Sequence, residues 1–444
     1  MLLIGNGTVV TRDALRPLIG NGAVAIEGNR IIKVGSYEAL KAEYPHAEVL
    51  NARGGVIMPG MINAHNHIYS AFARGMAIKG YSAKGFLEIL DGLWWTLDRN
   101  LKNPDTRLSA DMTFVDCIEN GVTTVIDHHA SYGEIEGSLF QIADSARELG
   151  VRACLCYEVS DRDGQDKMLQ GVRENEAFIK HAKKDESGRI AALFGLHAPF
   201  TLSNQTLDTC IAHNPGAGYH IHVAEGIDDV YINLRRHGKR PAFRLHDFGI
   251  LNEKTLLGHC THVSEAEIDL IRETGSMVGH NPESNMGNAI GCPPVIKMFQ
   301  KGVLIGLGTD GYTNDMLESY KVGNLLHKHN LADPSAAWTE IPAMLFENNA
   351  KMATKMFGRE IGVLKEGAMA DVIVVDYDAP TPLNEDNING HVMFGMNGRM
   401  VSATVADGVV LMKDRHLTNI DKPALMAKCR EAAGAVWARI NEKR

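Results

Sequence analysis

Two styles of hydrophobic pattern divide the chain. Over residues 1–55, short apolar runs (LLIGNGTVV, GAVAIEG and RIIKVG) are cut by Gly-Asn and Glu-Gly-Asn turns, which reads as strands joined tightly. The style returns over residues 365–418 in DVIVVD, VSATVADG and VVLMKD. Neither end carries enough strands for a sheet domain of its own, so the pattern predicts one small β-sandwich built from both. Over residues 56–364, strand-length apolar runs alternate with helix-length amphipathic stretches. The strand runs are GGVIMPGMINA, TTVID, RACLCYE, AALFGL, YHIHV, TLLGH, SMVGH and VLIGLGTD. Two of the intervening stretches, DTRLSADMTFVDCIENG and SLFQIADSARELG, close on glycine, as helix C-termini often do. Eight β-α units with strands apolar on both faces predict an α/β chain with a (β/α)8 TIM-like barrel. KPALMAKCREAAGAVWARI, within residues 419–444, predicts a C-terminal amphipathic helix.

The polar residues that interrupt this pattern fall at strand ends. The first run finishes in His65-Asn66-His67, the second in Asp127-His128-His129 and the fourth in His197. The fifth finishes in His222 with Glu225 three residues on; the sixth, seventh and eighth finish in His259, His280 and Asp310. A barrel of this kind builds its active site at the C-terminal strand ends, so these groups are expected to converge. His65 and His67 are two apart and share one face of an extended segment. Taken singly, each histidine is more often a hydrogen-bonded structural residue. As a set, they point to a metal: His65, His67, His222 and Asp310 supply three nitrogens and one oxygen and leave a position for water. One divalent ion is expected, zinc first and iron as the alternative. The roles of His128, His129 and His280 stay open, with at most one of the 128–129 pair facing the pocket.

Charge and composition narrow the partners. The 444 residues carry a net charge of −9 and no long basic run, which argues against nucleic acid or an anionic membrane as partner. No apolar run approaches the ~18 residues of a membrane span. The opening MLLIGNGTVVTRD is broken too early by Gly, Asn and Asp to read as a signal peptide. Seven cysteines without a C-x-x-C pair read as reduced core thiols, so the expected location is cytoplasmic. The expected partner is a small molecule, with a homodimer as the assembly to test.

PGMINAHNH, HVAE, GHNPESNMG, GLGTDG and the closing LKEGAMADVIVVD resemble the amidohydrolase superfamily, in its deaminase and chlorohydrolase-like branch. GFLEILDGLWWTLDRNL, TTVIDHHAS, CLCYEVSDRDG and NINGHVMFGMNGR resemble the SsnA aminohydrolase group within it. The resemblance implies a hydrolase acting on carbon–nitrogen bonds other than peptide bonds, through a metal-activated water. It puts the metal ligands on His65, His67, His222 and Asp310, the proton-shuttling glutamate on Glu225 and the water-orienting histidine on His259. Asp310 also serves as base, and His197 falls on the substrate-contacting histidine. Binuclear relatives bridge two ions with a fourth-strand lysine; AALFGLHAPF has none, so a single ion is implied.

The acid that nucleoside deaminases carry after the first strand matches Asp98. The arginine they carry after the third strand is read as replaced by Tyr157. Trp94, beside Trp95, is either a core residue or an aromatic wall for a planar ring. With Asp98 and Tyr157 as substrate contacts, the expected substrate is an aminated purine-like or related heterocycle, as a free base in preference to a nucleoside. The rival readings are ring opening or chlorohydrolase chemistry on the same scaffold, and a non-catalytic accessory of a selenium-dependent purine enzyme.

Overall fold

The apolar run at residues 55–65 is two strands. It breaks after Pro59, giving Val56–Pro59 and Met61–Asn66. The junction residue is Gly60, where a Cβ would come within 2.4 Å of the Thr123 hydroxyl, so only glycine lets the chain pass there. Val56–Pro59 runs antiparallel to Val372–Val375 and parallel to Leu2–Val10. It is therefore the seam that joins the two ends of the chain.

The computed structural model describes residues 1–443. Strands from both ends form one nine-stranded sheet around that seam. The expected sandwich takes the form of this continuous sheet, whose halves share one apolar core: Val24, Ile26 and Ile31 come from one end, and Val374, Ala403 and Val405 from the other.

The barrel strands are Met61–Asn66, Val122–Asp127, Arg152–Leu155, Ile190–Ala192 continued as Phe194–Leu196, Tyr219–Val223, Leu256–His259, Met277–His280 and Ile305–Leu307. All neighbouring pairs are parallel. The fourth strand is split at Leu193: its first half pairs with the third strand and its second half with the fifth. The ring closes where Asn66 bridges Asp310 in parallel and the His65 carbonyl accepts from the amides of Thr309 and Asp310. Most of these strand residues are buried, as near-continuous apolar runs require.

The helix Asn103–Glu119 ends at Asn120 and Gly121, and Ser138–Leu149 ends at Gly150; both glycines have positive φ. The C-terminal helix Lys422–Glu442 buries Cys429, Val436 and Ile440. Its Trp437 Nε1 donates to the Phe72 carbonyl at 2.8 Å, and its Arg439 pairs with Asp105. These bonds brace the segment that follows the first barrel strand, which carries one wall of the site. Among the described residues, no helix is long and apolar enough to cross a membrane. The seven cysteines are all unpaired.

Candidate metal centre and active site

The strand-end residues do converge. His67 Nε2 lies 3.0 Å from Asp310 Oδ1 and 3.2 Å from His222 Nε2. His65 stands beneath them, its Nδ1 2.8 Å from His220 Nε2 and its own Nε2 buried with no hydrogen-bond partner. His259 Nε2 faces Asp310 Oδ2 at 3.4 Å and Glu225 Oε2 at 3.6 Å, while its Nδ1 contacts Asn285 Oδ1 at 2.8 Å. The Ser284 hydroxyl donates to Asp310 Oδ2, and the Gly311 amide donates to Oδ1. These carboxylate and amide partners fix the rings and the carboxylate, as outer partners of a metal site do.

The backbone pays attention to the same place. Ala224, His259, Cys260 and Asp310 all have positive φ without being glycine. Left-handed non-glycine residues each cost about 1–3 kcal/mol and gather at functional sites. Here they turn the chain sharply at the ends of the fifth, sixth and eighth strands. The turn after His222 is buttressed by Asp229, whose carboxylate accepts from the amides of Ala224 and Phe200. That turn brings Glu225 back over the cluster.

Burial holds His65, His128 and His222 neutral, well below the usual histidine range, which is the state a ligand needs. Burial also opposes charge at His67, but Asp310 and Glu158 outweigh it and raise the His67 pKa to about 10. That nitrogen draws a cation, whether proton or metal. Burial would lift Asp310, yet the charge of His67 overrides it and keeps the carboxylate ionised. Glu225 behaves in the opposite way: burial, then repulsion by Asp310, pushes its pKa well above the carboxylate range. A buried N3O donor set, an orphaned nitrogen at His65 and a strong pull on positive charge together fit a divalent cation. We expect His67→Ala to purify with little or no bound metal, as read by elemental analysis.

Above the cluster lies a small pocket, walled by Tyr69, Leu90, Trp94, Trp95, His197 and Asn288. Glu225, Glu158 and Asp310 also face it. His197 is held by Thr201, 2.8 Å from its Nδ1. Trp94 is half-buried on the wall. The structure thus brings together His65, His67, His222, Asp310, Glu225, His259, His197 and Trp94.

Two expected substrate contacts stand elsewhere. Tyr157 points away from the cavity: it is fully buried, its hydroxyl accepts from the Ser131 amide at 3.2 Å, and its ring packs near Tyr132 and His129. Successive strand residues face opposite ways, so its neighbour Glu158 takes the inward place. Asp98 is also fully buried and off the cavity wall, 2.6 Å from Arg162. Arg162 spreads over the Tyr132 ring at 3.9 Å and lies 4.9 Å from Trp95. An arginine does follow the third strand, five residues beyond Tyr157.

His128 enters the cluster, its Nδ1 3.3 Å from His222 Nε2, and its ring stacks on His220. His129 turns toward Tyr157 and Tyr69. His280 pairs with His327 at 3.0 Å. The reading of the sequence passed over Glu158, Arg162 and Asn288. Strand alternation held the signal for Glu158, the arginine expected after the third strand is matched by Arg162, and nothing local marked Asn288.

A closed parallel barrel with a buried histidine–carboxylate cluster at its C-terminal mouth defines a metal-dependent hydrolase. The chain belongs to the amidohydrolase family, whose model matches residues 56–411. A bacterial imidazolonepropionase-like composite domain matches residues 22–47. The chain is 31% identical to 5'-deoxyadenosine deaminase of Methanosarcina mazei, over 99% of both chains. It is 32% identical to 5-methylthioadenosine/S-adenosylhomocysteine deaminase of Thermococcus sibiricus, over 93% of this chain and 94% of that one. Its fold is similar to the zinc-bound crystal structure of an adenosine deaminase from Xanthomonas campestris. There the TM-score is 0.86 at 22% identity, over 98% of each chain. The chain is a hydrolase of carbon–nitrogen bonds in the metal-dependent deaminase class.

Proposed function

We propose that this chain removes the amino group of a compact, purine-like heterocycle as ammonia, using one divalent ion, zinc before iron. The observation that carries this is the placement of two carboxyls about one imidazole: Glu225 Oε2 and Asp310 Oδ2 face His259 Nε2 at 3.6 and 3.4 Å, with burial raising the Glu225 pKa and, against burial, His67 lowering that of Asp310. Pairs of acids pushed apart in this way mark acid and base roles. A cation held by His65, His67, His222 and Asp310 would supply an acidified water. Asp310 Oδ2 and His259 Nε2, 3.4 Å apart, are the groups that would take its proton and orient its oxygen. Glu225 would donate a proton to the ring nitrogen beside the attacked carbon and recover one from the new hydroxyl, while the proton taken up by Asp310 would pass to the leaving amine. Trp94 and Trp95 offer flat surface for a ring, and His197 stands edge-on beside Trp95 on the same pocket wall.

A free base is favoured because Asp98 and Arg162, the groups suited to a sugar, pair with each other off the wall of the cavity, although Asp98 Oδ1 and Arg162 Nε and Nη1 are left without hydrogen-bond partners. A buried hydroxyl left without a partner is costly. A nucleoside is the second reading. It is favoured by the relatives' substrates and by an adjoining space lined by Ser70, Thr113, Tyr312 and Asn314. Membership of the SsnA group is proposed on its motifs alone. Ammonia release from matched pairs, base against nucleoside, tests the reading on zinc-loaded protein. We expect the base to show the higher kcat/KM; a higher value for any nucleoside overturns the preference. Hydrolysis without ammonia would point to ring opening or dechlorination, and no turnover on a broad panel to an accessory role.

A further inference from the structure

Among the described residues, one group of four potential ligand atoms lies mutually within 4.8 Å, and it is not the motif set. It comprises His67, His128, Glu158 and His222, all buried. Two ligands about 2.0–2.1 Å from a tetrahedral ion sit roughly 3.3 Å apart. Three of the six edges match that spacing. His67 Nε2 to His222 Nε2 is 3.2 Å, His222 Nε2 to His128 Nδ1 is 3.3 Å, and His128 Nδ1 to Glu158 Oε1 is 3.5 Å. Glu158 Oε1 is buried without a hydrogen-bond partner, an unfavourable state for a polar atom that a bound cation would relieve. His128 contributes nothing to the motif set and is completely buried.

We propose that the chain offers its divalent ion a second position, held by His67, His222, His128 and Glu158. The donor set is again three nitrogens and one oxygen. Because the two positions share His67 and His222, they exclude each other, and the count stays at one ion per chain. The ion moves between Asp310, after the eighth strand, and Glu158, after the third. This rests on the metal reading above. The contrary role for Glu158 is orientation only, since its Oε1 also lies 3.3 Å from His67 Nδ1.

Zinc affinity by chelator competition separates the two, measured on wild type, Asp310→Ala, Glu158→Ala and the double variant, with elemental analysis for stoichiometry. Asp310→Ala is expected to keep about one zinc per chain. Glu158→Ala is expected to change affinity by no more than the ~10–100-fold typical of an outer partner, because Asp310 remains. In the Asp310→Ala background the same change is expected to weaken binding beyond ~100-fold. Two results overturn the proposal: Asp310→Ala holding no zinc, or Glu158→Ala costing the same factor in both backgrounds. A wild type that binds no zinc refutes the metal reading itself. If the double variant shows no cooperative melting, His128→Asn in the Asp310→Ala background replaces it, with the same two outcomes.

Discussion

Glu225→Gln is expected to lower kcat by at least ~10²-fold on a true substrate while metal content stays at the wild-type level. Glutamine keeps the length and one hydrogen-bond donor of the protonated acid, but it has no proton to give. Glu225 reaches its place through the left-handed turn at Ala224, which Asp229 fixes, so the change should leave the cavity's shape intact. The ion's ligands are untouched, because Glu225 stands beyond His259, 3.6 Å from its Nε2. An interaction lost only in the transition state lowers kcat and kcat/KM together, and KM should therefore change little. Steady-state kinetics beside elemental analysis checks both halves. Unchanged turnover would mean that another group supplies the proton. Glu158 would then be first in line, since burial lifts its pKa to about 8 and it faces the same cavity.

The barrel was legible because eight apolar runs of strand length stood between glycine-terminated helices, and parallel strands buried on both faces have little room for polar residues. The convergence of His65, His67, His222, His259 and Asp310 followed from that topology alone, since a barrel gathers its strand ends whatever their separation in sequence. What sequence could not carry was side-chain direction where a strand stops. Tyr157 and Glu158 are neighbours, and a one-residue difference in register decides which faces the metal. The Asp98–Arg162 pair spans 64 residues and forms only once the loops after the first and third strands meet behind Trp95. The seam at Gly60 was hidden for a different reason. Both halves of GGVIMPGMINA are apolar, so periodicity does not show that they serve different sheets.

Replacing Arg152 with methionine is expected to destabilise the protein by about 3–5 kcal/mol, the usual cost of leaving one member of a buried ion pair alone. Arg152 opens the third barrel strand, at the end away from the metal, and is only 1% exposed. Its guanidinium pairs with Asp371 and reaches Asp407 at 3.4 Å. Asp371 belongs to the LKEGAMAD stretch that leads into Val372–Val375 of the terminal sheet. Its other oxygen accepts from the Asp407 amide at 2.8 Å, and its carbonyl accepts from the Gly60 amide at 2.9 Å. The pair therefore ties the floor of the barrel to the sheet made from both chain ends, right at the seam. In Arg152→Met the Asp371 carboxylate stays buried with no cation opposite it. Taking away both charges relieves that penalty, so Arg152→Met/Asp371→Leu should lose less stability than the two single variants added together. Urea unfolding followed by circular dichroism on the four proteins measures the difference. Strict additivity would show that the two charges act independently, and that their pairing does not tie the barrel to the sheet.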